Sequence, residues 1–88
     1  MANRTTFIFT ESDGGKLHLV SGKFHREDGP AIVRADHQEW YQNGILHRED
    51  GPARMFLKTK VVEFWTEGKF ITSGLITNDE QFQKWLGK

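Results

Sequence analysis

The seven residues His25-Arg26-Glu27-Asp28-Gly29-Pro30-Ala31 return letter for letter as His47-Arg48-Glu49-Asp50-Gly51-Pro52-Ala53, every position displaced by the same offset. Identical residues at one fixed spacing meet the same local physics in each copy, so the backbone is expected to repeat with them. The turn glycines keep nearly the same beat. Gly22, Gly44 and Gly68 are almost evenly spaced, and each is followed two residues later by an apolar side chain, Phe24, Leu46 or Phe70. The third unit reads Lys69-Phe70-Ile71-Thr72-Ser73-Gly74 in place of the heptad, as expected of a terminal repeat that caps rather than stacks.

Short strands and tight turns fill the intervals. Thr5-Thr6-Phe7-Ile8-Phe9-Thr10 is rich in β-branched and aromatic residues, and Ser12-Asp13-Gly14-Gly15 supplies a turn before Lys16-Leu17-His18-Leu19-Val20. This predicts an N-terminal hairpin over residues 5–20. Ser21-Gly22, Gln42-Asn43-Gly44 and Thr66-Glu67-Gly68 reverse the chain again, and Asn-Gly readily takes the positive φ angles of tight hairpins. Repeat units are expected at about 17–38, 39–60 and 61–76, within a single domain of residues 1–88. In the tail the period changes: Phe82, Trp85 and Leu86 fall at i, i+3 and i+4, one face of a short helix over about 78–86. Thr77 with Glu80, or Asn78 with Gln81, would open it. At about nine residues it is marginal alone, so its apolar face must dock on the sheet.

Composition sets further bounds. A chain this short keeps much of its surface in water, and without cysteine neither a disulfide nor a thiolate metal site supplements its thin core. Seven Phe, three Trp and one Tyr are expected to carry that core. Lysine plus arginine equals aspartate plus glutamate, 12 of each, which argues against a strong nonspecific nucleic-acid binder. Residues 1–6 lack the apolar run of a signal peptide, and no segment approaches the roughly 20 apolar residues of a membrane span. A soluble, cytoplasmic protein is expected.

The aromatic pair and Asn-Gly of Trp40-Tyr41-Gln42-Asn43-Gly44-Ile45-Leu46-His47, continuing through Gly51, resemble the MORN repeat. The longer signature His-Arg-Glu-Asp-Gly-Pro-Ala is closer to small MORN-like proteins of tailed phages and bacteria. The resemblance covers roughly residues 17–74 and implies a mainly β fold: an antiparallel meander of β-hairpins in a single elongated, twisted sheet, to which the sequence adds a short C-terminal helix. It implies a binding or scaffolding unit rather than an enzyme.

His, Arg, Glu and Asp together are catalytic stock, but the heptad has a structural reading as well. Asp28-Gly29-Pro30 and Asp50-Gly51-Pro52 are expected to form turns, the aspartate accepting local hydrogen bonds, the glycine taking an unusual φ and the proline fixing the exit. Arg and Glu are then expected to pair across neighbouring units, and His to donate to a backbone carbonyl. His25 and His47 would align two strand spacings apart, about 9.6 Å. His18, His25, His37 and His47 lack the short spacing of zinc motifs, and no serine, threonine or lysine beside them makes a nucleophile motif. Neither a metal, a cofactor nor a catalytic residue is expected. Adjacent aromatics on a strand face opposite ways, so one ring of Trp40-Tyr41 and one of Phe64-Trp65 should turn inward and the other outward, under the helix or towards a partner.

The candidate binding residues are therefore Trp40, Tyr41, Trp65, Arg26, Arg48, His25 and His47. Two functions follow. One is a non-enzymatic protein-binding module, for which the phage-type resemblance implies an inhibitor or modulator of a host enzyme or defence complex in the host cytoplasm. The other is a site for a nucleotide or other anion on the repeated His/Arg face. The Phe7-Ile8-Phe9 edge is the expected place for strand addition or for a homodimer.

Overall fold

The structure, a computed structural model, describes residues 5–87; the expectations for residues 1–4 lie outside them. In chain order the elements are β1 (Thr6–Thr10), β2 (Lys16–Val20), β3 (Lys23–Phe24), β4 (Ile32–Val33), β5 (His37–Glu39), β6 (Tyr41–Gln42), β7 (Ile45–Leu46), β8 (Arg54–Phe56), β9 (Val61–Thr66), β10 (Lys69–Leu75) and α1 (Asp79–Trp85). The fold is mainly β and antiparallel throughout, with one short C-terminal helix.

The main sheet of the described residues has eight strands in the order β1-β2-β4-β5-β8-β9-β10, with β3 paired to β2, and it is elongated, with extents of 46 × 30 × 17 Å. The hairpin β6–β7 forms a two-stranded ladder of its own. Trp40 separates it from β5. Its N–H donates to Ala53 O (2.8 Å) and its carbonyl accepts from His47 N–H (3.0 Å), so the chain leaves the main ladder there and begins a side hairpin.

Local turn chemistry produces the repeat. Ser21-Gly22, Asn43-Gly44 and Glu67-Gly68 all hold positive φ at both central positions (52 and 78°, 51 and 80°, 51 and 77°), the requirement of a type I′ hairpin turn. Such a turn leaves the two central N–H groups without a partner inside the hairpin, and the preceding unit takes them. Gly44 N–H donates to Phe24 O (2.7 Å), and Gly68 N–H donates to Leu46 O (2.9 Å). Successive hairpins are thereby bonded side by side.

The core lies where the helix meets the sheet. Trp40, Met55, Val62 and Phe82 are buried together, flanked by Leu57, Phe64, Ile76, Trp85 and Leu86. Asn78 caps α1 by accepting from Gln81 N–H (3.0 Å), the second of the two caps expected. Lys60 crosses to the helix, bonding Asp79 (2.6 Å) and standing 4.3 Å from the centre of the Phe82 ring. The segment after the helix is held by a reciprocal amide pair: Gly87 N–H donates to Gln38 Oε1 (2.8 Å) and Gln38 Nε2 donates to Gly87 O (3.1 Å).

Candidate functional site

The heptads build their own turns, but by different contacts from those expected. Arg26 Nε donates to Asp28 (3.0 Å) and Arg48 Nε to Asp50 (2.8 Å), and the same guanidinium groups reach Pro30 O (3.3 Å) and Pro52 O (3.1 Å). Each arginine thus pairs within its own copy rather than across units, because the Asp-Gly-Pro turn folds back over it. Gly29 and Gly51 do not have positive φ. They are needed for room: a Cβ would stand 2.8 Å from Arg26 Cζ at the first, and 2.9 Å from Trp85 Cδ1 and 3.0 Å from Arg48 Cζ at the second.

The histidines accept rather than donate at Nδ1. Asn43 N–H donates to His25 Nδ1 (3.0 Å) and Glu67 N–H to His47 Nδ1 (2.9 Å). Each ring therefore satisfies the first central N–H of the next unit's turn, a group whose direction the positive φ angles fix. The proton is left on Nε2, which faces Glu27 (3.7 Å) at His25 and Glu49 (3.4 Å) at His47.

Two open grooves follow from this repetition. The first, of about 630 Å3, is lined by Thr6 and Ile8 on one side and by His18, Val20, His25 and Arg26 to Asp28 on the other. The second, of about 900 Å3, is lined by the corresponding positions of the next unit, namely Trp40, Gln42, His47 and Arg48 to Asp50, with the first heptad replacing β1 as the facing wall. Leu86 and Gly87 close one side of it. The grooves are repeats of one another.

Charge is sorted in both. The side chains of Arg26 and Arg48 are only 20 % and 9 % exposed, whereas Glu27, Asp28, Glu49 and Asp50 are 76–87 % exposed. Arg48 is sealed further: it donates to Trp85 O (2.8 Å) and lies over the Trp40 ring at 4.0 Å. The bond from Arg26 holds the Asp28 carboxyl below the usual carboxylate range, and that from Arg48 does the same for Asp50. In the first groove, burial and then the Arg26 charge push the His18 imidazole below its ordinary value, and its Nε2 lies 3.3 Å from Arg26 Nη1.

The opposite face of the sheet carries a second polar group. Tyr41 Oη donates to Glu39 Oε1 (2.7 Å), Trp65 Nε1 donates to Glu63 Oε1 (2.9 Å), and Arg54 Nη1 joins Glu63 (3.3 Å). His37 Nε2 stands 3.1 Å from Glu39 Oε2. Burial and the Glu39 bond raise the Tyr41 pKa to about 12, so the phenol stays protonated at neutral pH. Phe24 packs beside Tyr41 and Phe70 beside Trp65, each with centroids 5.4 Å apart.

The predicted binding residues therefore divide. Arg26, Arg48, His47 and Trp40 meet in the second groove, while His25 faces the first, so the two histidines do not share a site. Trp40 and Phe64 are the inward rings, against Phe82 and Trp85, and Trp40 is 7 % exposed: it is core, and Arg48 covers it. Tyr41 and Trp65 are the outward ones. Glu27 and Glu49 were absent from the predicted set. Their signal was present in the heptad, since an arginine satisfied by the aspartate two residues on makes no claim on the intervening glutamate. Among the described residues no three His, Cys, Asp or Glu side chains converge as a metal ion would need.

These features define a mainly β protein of stacked hairpins with a docked helix. Compared with known proteins, the chain matches no family model, no curated protein and no solved structure.

Proposed function

We propose that this chain is a non-enzymatic protein-binding module whose repeated acidic rim engages a basic patch on a partner protein. The observation that supports it is the sorting of charge in the grooves: the arginines are turned in and bonded, and four carboxylates stand out at equivalent positions of the two heptads. A nucleotide or other anion approaching the same face meets carboxylates first, which disfavours the small-ligand alternative. Complementary charge gives a partner both orientation and a faster encounter. The resemblance to phage-type MORN-like proteins gives the proposal its concrete form, an inhibitor or modulator of a host enzyme or defence complex acting in the host cytoplasm. No helix among the described residues is long and apolar enough to cross a membrane.

The test reverses Glu27 and Glu49, which are exposed and are not the carboxylates that hold the arginines. Wild type should capture a specific protein from host extract, with salt weakening the complex, and Glu27→Lys/Glu49→Lys should lose it at an unchanged melting temperature. Equal capture by both chains, or no capture by wild type, overturns the proposal. Nucleotides should leave the melting temperature alone; stabilisation by about 2.7 kcal/mol at a hundredfold excess over Kd would favour the ligand reading instead.

A further inference from the structure

The strand β1 ends the main sheet, pairing with β2 on one side only among the described residues. Its sequence, Thr6-Phe7-Ile8-Phe9-Thr10, reads the same in both directions. All five residues are exposed, and Phe7, Ile8 and Phe9 are 56 %, 60 % and 61 % accessible. Edge strands are usually protected from pairing by charge, proline or a bulge. β1 has none of these, whereas the opposite edge, β10, begins with Lys69 and breaks register between Phe70 and Thr72.

Backbone parity settles which groups the edge offers. Ser21 N–H donates to Thr5 O (2.9 Å) and Glu11 N–H to Gly15 O (2.7 Å), so 5 with 21 and 11 with 15 are bonded pairs of the β1–β2 ladder. Bonded and non-bonded pairs alternate in an antiparallel ladder. Phe7 and Phe9 therefore turn their N–H and C=O groups to β2, while Thr6, Ile8 and Thr10 turn theirs to the open side. His18, opposite Ile8, agrees: its N–H goes to Ala31 O on the far side (2.7 Å).

We propose that two copies of this chain join antiparallel through β1, about a two-fold axis at Ile8. The palindrome and the parity meet at this one residue. Ile8 pairs with its counterpart, Thr6 with Thr10 and Phe7 with Phe9, so that every apolar side chain opposes an apolar one. Every outward backbone group finds a partner, about six hydrogen bonds in all. Phe7 and Phe9 of both copies then form one cluster on the face that also carries Leu19 and Leu17, their partners on β2. The contact is isologous and consumes β1 in both chains, so assembly closes at two; a β1–β10 contact would run head to tail and stay open. The joint pairs β1 with β1; Thr6 and Ile8 also wall the first groove, whereas the second groove, with Glu49 and Asp50, includes no residue of β1.

Sedimentation equilibrium of the whole chain should give twice the chain mass. Ile8→Pro, which removes an N–H directed outward and leaves the β2 ladder intact, should give the single mass with an unchanged far-ultraviolet spectrum. The chain has no cysteine, so a single introduced one reports the register. Ile8→Cys should cross-link on oxidation into a covalent dimer, whereas Thr6→Cys should not, its counterpart lying about 14 Å away along the strands. This second measurement holds even where the proline variant fails to fold. A single mass for wild type at all concentrations, a ladder of higher species, or cross-linking of Thr6→Cys as complete as that of Ile8→Cys overturns the proposal.

Discussion

Each heptad arginine closes a ring of contacts around its own Asp-Gly-Pro turn, and the glycine is where that ring has least room. At Gly29 the neighbouring atoms belong to the end of the Arg26 side chain, which can shift; at Gly51 they include the Trp85 ring, wedged between Phe64 (centroids 5.7 Å apart) and the turn. Gly51→Ala should therefore cost about 1–3 kcal/mol in urea unfolding, and Gly29→Ala clearly less. Equal costs would place the constraint in the backbone instead. The ionisable groups predict a second behaviour. The His18 pKa is lowered by folding, so its contribution to stability is full above the unfolded value of about 6.5 and is lost as pH falls through the lower folded value. Asp28 and Asp50 are lowered as well; their contributions are present above about 3.9 and are lost as pH falls through the depressed values. Urea midpoints should decline in two stages on acidification, and His18→Gln should remove the upper one. A wild-type midpoint flat from pH 7 to 5 would contradict this. At this scale the sequence marked where the chain turns and not the contacts that hold the turns. Glycine and aspartate announced a turn, but the side chain that crowds Gly51 comes from residue 85, and proximity in space is not written in local spacing.

The hairpins are the elements most legible in the chain, because a type I′ turn is decided by two adjacent residues and their φ angles. The helix was legible from its period and its cap. Where it docks was not: the clamp between Gln38 and Gly87 spans 49 residues, and a glutamine inside a strand gives no sign that its amide is reserved for a distant backbone. Gln38 is 7 % exposed, so Gln38→Ala should leave the Gly87 N–H and carbonyl short of partners, costing about 1–3 kcal/mol by thermal or urea unfolding. Asn78→Ala, at the exposed end of the same element, should cost about 1 kcal/mol. If the clamp variant proves the milder, the post-helix segment is not what fastens α1 to the sheet. The break at Trp40 was equally hidden. Its hydrogen bonds go to Ala53 and His47, and a strand pattern running from Gln38 to Tyr41 shows no interruption.

Across the whole molecule, elongation follows from one joint used twice. His25 receives the turn N–H of the second hairpin and His47 that of the third, so each unit prepares the place of the next. Energies in such arrays are close to sums over units and their interfaces. Inserting a second copy of residues 25–46 after Leu46 should therefore give a folded, more stable chain, longer by about 9.6 Å, two strand spacings, in small-angle scattering. A compact or unfolded product would show that the joints depend on their neighbours. The overall shape was legible because the heptad is repeated, and its end was legible in the loss of the heptad from the third unit; the contact that is lost there was not. At the third unit the position of His25 and His47 is held by Ile71, whose side chain has no nitrogen to accept from a further turn. The length of the hairpin array is thus spelled out in its text, each imidazole meaning continue and one isoleucine serving as the full stop.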